Sequence, residues 1–259
     1  MAAGDHTFVV LAYGDSPFLP GCLASLTAQT TPPRMVVSTS TPSPFIDEAA
    51  AAVGAPVIVN PARAGIAADW NFALGAADTR YVTLAHQDDV YYPPFLNRSL
   101  GLLTASPRAA LAFTGYVEID DHGAPSRSKI SFAKHGLERL ALGAATAPSR
   151  ARLRAFLSFG NPLPCSSVTF DQTRLPGFAF SDAFRSNLDW EAWLRLADAG
   201  TVFARTPERL IGRRHNPLTA TSALTREGVR LSEDLTMFRR LWPRPLADFI
   251  AFAYRAGYS

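Results

Sequence analysis

Five short apolar runs, each closed by turn-forming residues, constrain this chain more than any other feature. They span residues 8–12, 35–37, 56–59, 81–85 and 110–113, and each has the length of a buried strand. Between the first two, Leu19, Cys22, Leu23 and Leu26 recur at helical spacing, with Pro17 suited to a first turn. Between the third and fourth, residues 66–77 carry Ile66, Trp70, Phe72, Ala73 and Leu74 in a second helical pattern. Strand and helix in alternation predict an α/β fold with a parallel sheet covered by helices. In such sheets ligands sit beyond the carboxyl ends of the strands. That singles out residues 13–15, 38–41, 60–65 and 86–89.

The second half is less regular. Residues 120–123 are a turn signal, and residues 127–148 are polar and Ala-rich, read as a mobile segment over the site. Residues 159–164 form a rigid loop entering a strand at 166–170. Trp190, Trp193, Leu194 and Ala197 fall at i, i+3, i+4 and i+7, an amphipathic helix. A strand is predicted at 209–211 and a last helix over 225–241. With no repeat and no linker, residues 1–259 read as one domain, divided near residue 120 into a ligand-binding half and a second half.

Composition narrows the class further. The formal charge is +3, and Lys129 and Lys134 are the only lysines. Arg is the better residue for gripping phosphates, although an Ala- and Arg-rich chain also follows from GC-rich coding. No basic stripe interleaved with aromatics is present, so no nucleic-acid partner is expected. Cys22 and Cys165 stand alone and fit reduced thiols. No apolar run approaches the roughly 20 residues that span a bilayer, and residues 1–6 do not form a secretory signal. The expected location is cytoplasmic, with peripheral membrane contact left open.

Asp88 and Asp89 directly follow the fourth apolar run. Two adjacent carboxylates repel, and a site holding both favours a compensating cation. One or two carboxylates, completed by phosphates and water, is the pattern for Mg²⁺ or Mn²⁺. Taken alone, the pair reads first as a solvated turn before Pro93 and Pro94, and only its context favours the metal.

The order of these segments resembles family 2 glycosyltransferases with the GT-A fold, in which a mixed central sheet is flanked by helices. Residues 8–13 match the opening strand; residues 23–29, with Pro32 and Pro33, match the first helix and its exit. Residues 60–65 and Asn71 resemble the second helix and its approach, and residues 81–89 the strand ending in a DXD-type metal motif. The likeness runs over about residues 7–120 and returns near Asn161, Asp189 and His215.

The resemblance implies an inverting hexosyl transfer from a nucleotide diphosphate sugar to a hydroxyl acceptor (a glycan, a lipid-linked acceptor or a small molecule), assisted by Mn²⁺ or Mg²⁺. Ala12, Tyr13, Ser38, Arg63 and Asn71 would line the donor. Asp89 would hold the metal, and Asp88 would bind ribose or assist the metal. His86 would either ligate or hydrogen-bond nearby. His215 would complete the metal shell or meet the diphosphate, with Arg213 or Arg214 offsetting leaving-group charge. Asp189 corresponds to the base, and Glu191 is read as a surface partner of Arg195 at i, i+4.

Three departures stand out. Residues 38–41 are Ser-Thr-Ser-Thr where the family carries an Asp that reads the base, leaving UDP and dTDP as candidate nucleotides. His86 replaces the first acid of the motif, and Leu188 replaces a Glu beside the base. Two rivals follow: a non-catalytic nucleotide-sugar or glycan binder, and a sugar nucleotidyltransferase. The latter would need a Gly-rich, Lys-containing phosphate loop that residues 13–16 do not provide.

Overall fold

The computed structural model describes residues 3–126, 129–214 and 224–255. Its first half alternates strand and helix: β1 (His6–Ala12), α1 (Leu19–Thr27), β2 (Arg34–Thr39), α2 (Pro44–Ala51), β3 (Val57–Val59), α3 (Ile66–Ala76) and β4 (Tyr81–His86). Then come β5 (Val90–Tyr91), α4 (Phe95–Ala105), β6 (Ala109–Ile119), α5 (Lys129–Leu142), α6 (Arg150–Leu157) and β7 (Val168–Asp171). The chain continues through α7 (Leu188–Asp198), β8 (Val202–Arg214), α8 (Val229–Leu241) and α9 (Arg244–Arg255).

The strands form one sheet in the order β3-β2-β1-β4-β7-β6-β8-β5. The first four are parallel, as predicted, but β7 runs antiparallel to both β4 and β6. The whole sheet is therefore mixed. Alternate β1 side chains feed two cores: Val9 packs with one face, Phe8 and Val10 with the other. This is the period-2 geometry of a strand buried on both faces.

Register decides which loops meet. Ala12 lies opposite Thr39, and Leu11 opposite both Ser38 and His86. The chain order reverses about β1, between β2 and β4, which makes a switch point where loops diverge and a cleft opens. At the far edge, Val90 pairs with Gly212 and Tyr91 with Ile211. That antiparallel pairing lays the end of β8 against the loop after β4.

Several elements depart from the sequence reading. The stretch expected to be mobile folds into α5 over Lys129–Leu142, and its Leu142 is buried in the core. β6 and β8 are longer than the runs that signalled them, because Gly115 sits at a register shift where β8 carries Pro207. A Cβ on Gly115 would stand 2.9 Å from the Pro207 carbonyl oxygen, so only glycine admits this irregular pairing. The last predicted helix is interrupted: residues 224–226 are helical, a turn follows with Gly228 at φ 75°, and the helix resumes at Val229. The α7 stripe holds: Trp190 and Trp193 are fully buried, and their indoles donate to the Leu157 and Leu163 carbonyls at 2.9 and 3.0 Å.

Candidate active site

The carboxyl ends of β1 and β4 are locked together by one side chain. The Tyr13 amide donates to Gln87 Oε1, and Gln87 Nε2 donates back to the Tyr13 carbonyl, both at 3.0 Å. The carboxamide acts as an extra rung joining two parallel strands beyond their own ladder. It fixes the Tyr13 backbone, while Tyr13 itself is 67% exposed. Ala12 is buried at the end of β1. Ser38, expected to face a donor, is buried within β2.

A polar cluster stands beyond the ends of β2 and β3. Ser40 Oγ donates to Asp69 Oδ2 and Asn60 Nδ2 to Asp69 Oδ1, each at 2.9 Å. Arg63 Nε donates to the Ser40 carbonyl at 3.0 Å. Arg63 thus joins this cluster through the end of β2, and Asp69, which carried no motif signal, is its centre. Asn71, expected to touch the donor, instead spends both ends of its carboxamide on Phe180. Its Nδ2 donates to the Phe180 carbonyl at 2.9 Å, and the Phe180 amide donates to its Oδ1 at 2.8 Å. It fastens that loop to α3, where Trp70 packs between Phe180 and His86.

The loop after β4 carries Asp88 and Asp89. Asp89 is buried, and its Oδ1 accepts from the Arg214 amide at 3.0 Å. Burial, and next the Asp88 charge, push its carboxyl up to about 7. A carboxylate so disfavoured gains most from an added cation. Among the described residues no three His, Cys, Asp or Glu side chains cluster for a metal. Asp88 and Asp89 would offer two carboxylates to be completed by outside oxygens, a donor chemistry that fits Mg²⁺ or Mn²⁺. His86 Nε2 is buried without a hydrogen-bond partner, and burial lowers the imidazole to about 4, so the ring is neutral at physiological pH. His215 lies outside the described residues.

The two arginines at the end of β8 have different tasks. Arg214 is structural: its Nε donates to the Asp88 carbonyl at 3.0 Å, it bonds the Asp120 carbonyl, and its guanidinium lies 4.4 Å above the Phe18 ring. The Arg213 charge lowers the carboxyls of Asp89 and Asp189 and the imidazole of His86, a smaller influence on each than burial.

Asp189 opens α7. Its Oδ1 accepts from the Trp190 amide at 2.9 Å, and burial raises its carboxyl above the usual range, with Arg230 the largest opposing influence. The loop before it is held from α8. Glu233 accepts from the amides of Arg185, Ser186 and Asn187 at 2.7, 2.9 and 2.9 Å. The Asn187 amide group also donates to Asp234 Oδ1 at 2.8 Å. Glu233 and Asp234 carried no motif signal, because their partners lie more than forty residues away. Glu191 pairs with Arg195 at 3.1 Å, as expected.

Taken together, a mixed eight-stranded sheet flanked by helices, with its cleft at the switch point, is the GT-A class of glycosyltransferase fold. The sequence pattern of glycosyl transferase family 2 matches residues 7–158, and the chain belongs to that family. It is a glycosyltransferase. No curated protein sequence matches it. Solved structures share the fold at low identity. TarS from S. aureus has a TM-score of 0.61 and 13% identity over 97% of this chain. The chain spans only 43% of the length of that protein. Residues 1–349 of TarS in complex with UDP-GlcNAc superpose with a TM-score of 0.63 at 12% identity, covering 95% of this chain and 70% of that one. The mannosyltransferase PcManGT from Pyrobaculum calidifontis, in complex with GDP-Man and Mn²⁺, gives 0.62 at 16% identity, covering 97% and 69%.

Proposed function

We propose that the protein transfers a hexose, with inversion, from a UDP- or dTDP-linked donor to a hydroxyl acceptor, with Asp189 as general base. What supports this reading is that β8 ends against the acidic loop, where the buried Asp89 carboxylate is bound by the Arg214 amide next to Arg213. A donor diphosphate beside Asp88 and Asp89 would bring its leaving-group charge toward the Arg213 guanidinium. Asp88 and Asp89 are the residues that would hold Mn²⁺ or Mg²⁺. Such a cation supplies positive charge to the diphosphate when bound. Solved glycosyltransferases of this fold have been captured with UDP-GlcNAc, with GDP-Man and Mn²⁺, and with Mg²⁺ and UDP.

Asp189 suits the other half of the reaction. Raised by burial, its carboxylate is a stronger base than an ordinary one, yet Arg230 and the Trp190 amide favour the ionised form. It takes the acceptor proton as the hydroxyl attacks the anomeric carbon on the face opposite the departing nucleotide. Tyr13 offers a flat surface to the base, and Arg63 a guanidinium to the base or diphosphate.

The test is transfer from a radiolabelled donor with and without Mn²⁺, with the product's anomeric configuration read by NMR. Asp189→Asn is expected to abolish transfer while leaving nucleotide binding intact, and Asp89→Ala to abolish metal-dependent turnover. Near-normal transfer by Asp189→Asn would sink the base assignment. Nucleotide binding without any turnover in the unaltered protein would favour a non-catalytic binder.

A further inference from the structure

Helix α9 has two apolar faces, and the described residues cover one of them. Ala247 is buried, and Ile250, Ala251 and Tyr254 pack against the core. The Tyr254 ring meets Phe238 of α8 edge-on at 5.5 Å. A Cβ at position 160 would stand 2.7 Å from that ring, so Gly160 is what admits it. These contacts fix how α9 is turned. Its other side carries Leu246, Phe249 and Phe252 at i, i+3 and i+6, exposed by 42%, 66% and 75%. Pro245 and Ala253, also exposed, widen the stripe. A contiguous apolar stripe left in water marks an interaction surface. The charge around it is mostly positive. From Arg239 to Arg255 the chain has four arginines and one acid, Asp248. Asp248 is taken up by Arg239, whose Nε donates to its Oδ1 at 2.9 Å. Arg240 lies over the Phe184 ring at 4.9 Å, and Arg244 and Arg255 stand at the two ends of α9.

We propose that α9 lies flat on an anionic membrane surface, with Leu246, Phe249 and Phe252 entering the boundary between headgroups and acyl chains and the arginines meeting lipid phosphates. A stripe of Phe and Leu bordered by Arg is the composition of an interfacial helix. Arginine stems run along apolar surface while their heads stay with phosphate. Twelve helical residues make a rod about 18 Å long, against a hydrocarbon core about 30 Å thick. The helix therefore lies on a bilayer and does not cross it. A second copy of the chain fits this face less well. A two-fold pairing along the stripe would set arginine against arginine at both ends, whereas anionic lipid offsets the same charges. The inference is independent of the donor nucleotide and of the base assignment.

Co-sedimentation of the full chain with phosphatidylcholine vesicles, with and without phosphatidylglycerol, tests this. The unaltered protein is expected to bind the mixed vesicles at least about tenfold more tightly than phosphatidylcholine alone, and less tightly as salt rises. Phe249→Gln combined with Phe252→Gln is expected to weaken that binding about tenfold or more. Both side chains are exposed, so thermal unfolding of this double variant is expected to match that of the unaltered protein, which separates lost binding from lost folding. Arg244→Gln combined with Arg255→Gln is expected to remove most of the preference for the mixed vesicles. Failure of the unaltered protein to bind either vesicle overturns the proposal and needs no variant to fold. So does equal binding to both, or undiminished binding by the phenylalanine double variant. A dimer in sedimentation velocity that the phenylalanine double variant abolishes, with no vesicle binding, overturns it in favour of a second copy on this face.

Discussion

His6 shows how far a single buried side chain can couple this fold to pH. It is fully buried at the start of β1, with Nε2 2.9 Å from Thr83 Oγ1, and burial lowers its imidazole to about 3. An unfolded histidine titrates near 6.5. Between these values the unfolded chain binds a proton that the folded one refuses. The contribution is therefore complete above pH 6.5 and is lost progressively as pH falls through the window. From pH 7 to pH 5 the loss amounts to about 2 kcal/mol. His6→Gln, which can keep a bond to Thr83, is expected to unfold in urea with a flatter pH dependence by that amount; parallel pH curves for the two proteins would contradict it. Gln87 matters at the same scale for binding. Gln87→Ala removes both bonds to the Tyr13 backbone. It is expected to raise KM for the donor several-fold with a smaller change in kcat, as steady-state kinetics would show.

At the scale of elements, the N-terminus of α7 is organised by α8. The Asn187 side chain makes no capping bond to α7, and the amides that lead into the helix converge instead on Glu233. Hydrogen bonds to a charged acceptor contribute more than neutral ones, and amides left unpaired in a part-buried loop carry a desolvation cost. Glu233→Ala is expected to lower stability by about 2 kcal/mol. It is also expected to depress kcat, because Asp189 follows two residues after the last of those amides. Urea denaturation and kinetics on the same preparation check both effects; full kcat would show that Asp189 needs no support from α8. β5 plays a comparable part at the other edge. Only two residues long, it pairs with β8 and so brings the Arg214 amide to Asp89.

Over the whole molecule, the ligand cleft couples to global stability through mass action. A ligand bound only by the folded state stabilises it by about 2.7 kcal/mol at a hundredfold excess over Kd. UDP with Mn²⁺ is therefore expected to raise Tm in a saturable way. The rise should vanish in Asp89→Ala and persist in Asp189→Asn. Loss of the nucleotide-dependent shift in Asp189→Asn would place that residue in donor binding and count against its role as a base.

How much of this was legible without coordinates depends on the range of each interaction. Apolar runs and helical spacing are local patterns, so β1 to β4, α1, α3 and the buried stripe of α7 could be read directly. Asp88 and Asp89 could be placed at a strand end in the same way, whereas Asp189 came only from the family resemblance. The polar helix α5 and the extended β6 and β8 could not, since their residues are held by partners distant in sequence. The same holds within the site. That Asn71 would be consumed by Phe180, that Arg214 would brace the loop, and that Asp69 would reach the end of β2 were all decided by tertiary structure. Sequence by itself determined where β1 to β4 end, because hydrophobic burial acts on neighbouring residues with a fixed period. Only the folded sheet decided which of those ends meet, because register and hydrogen bonding join groups that the chain keeps far apart.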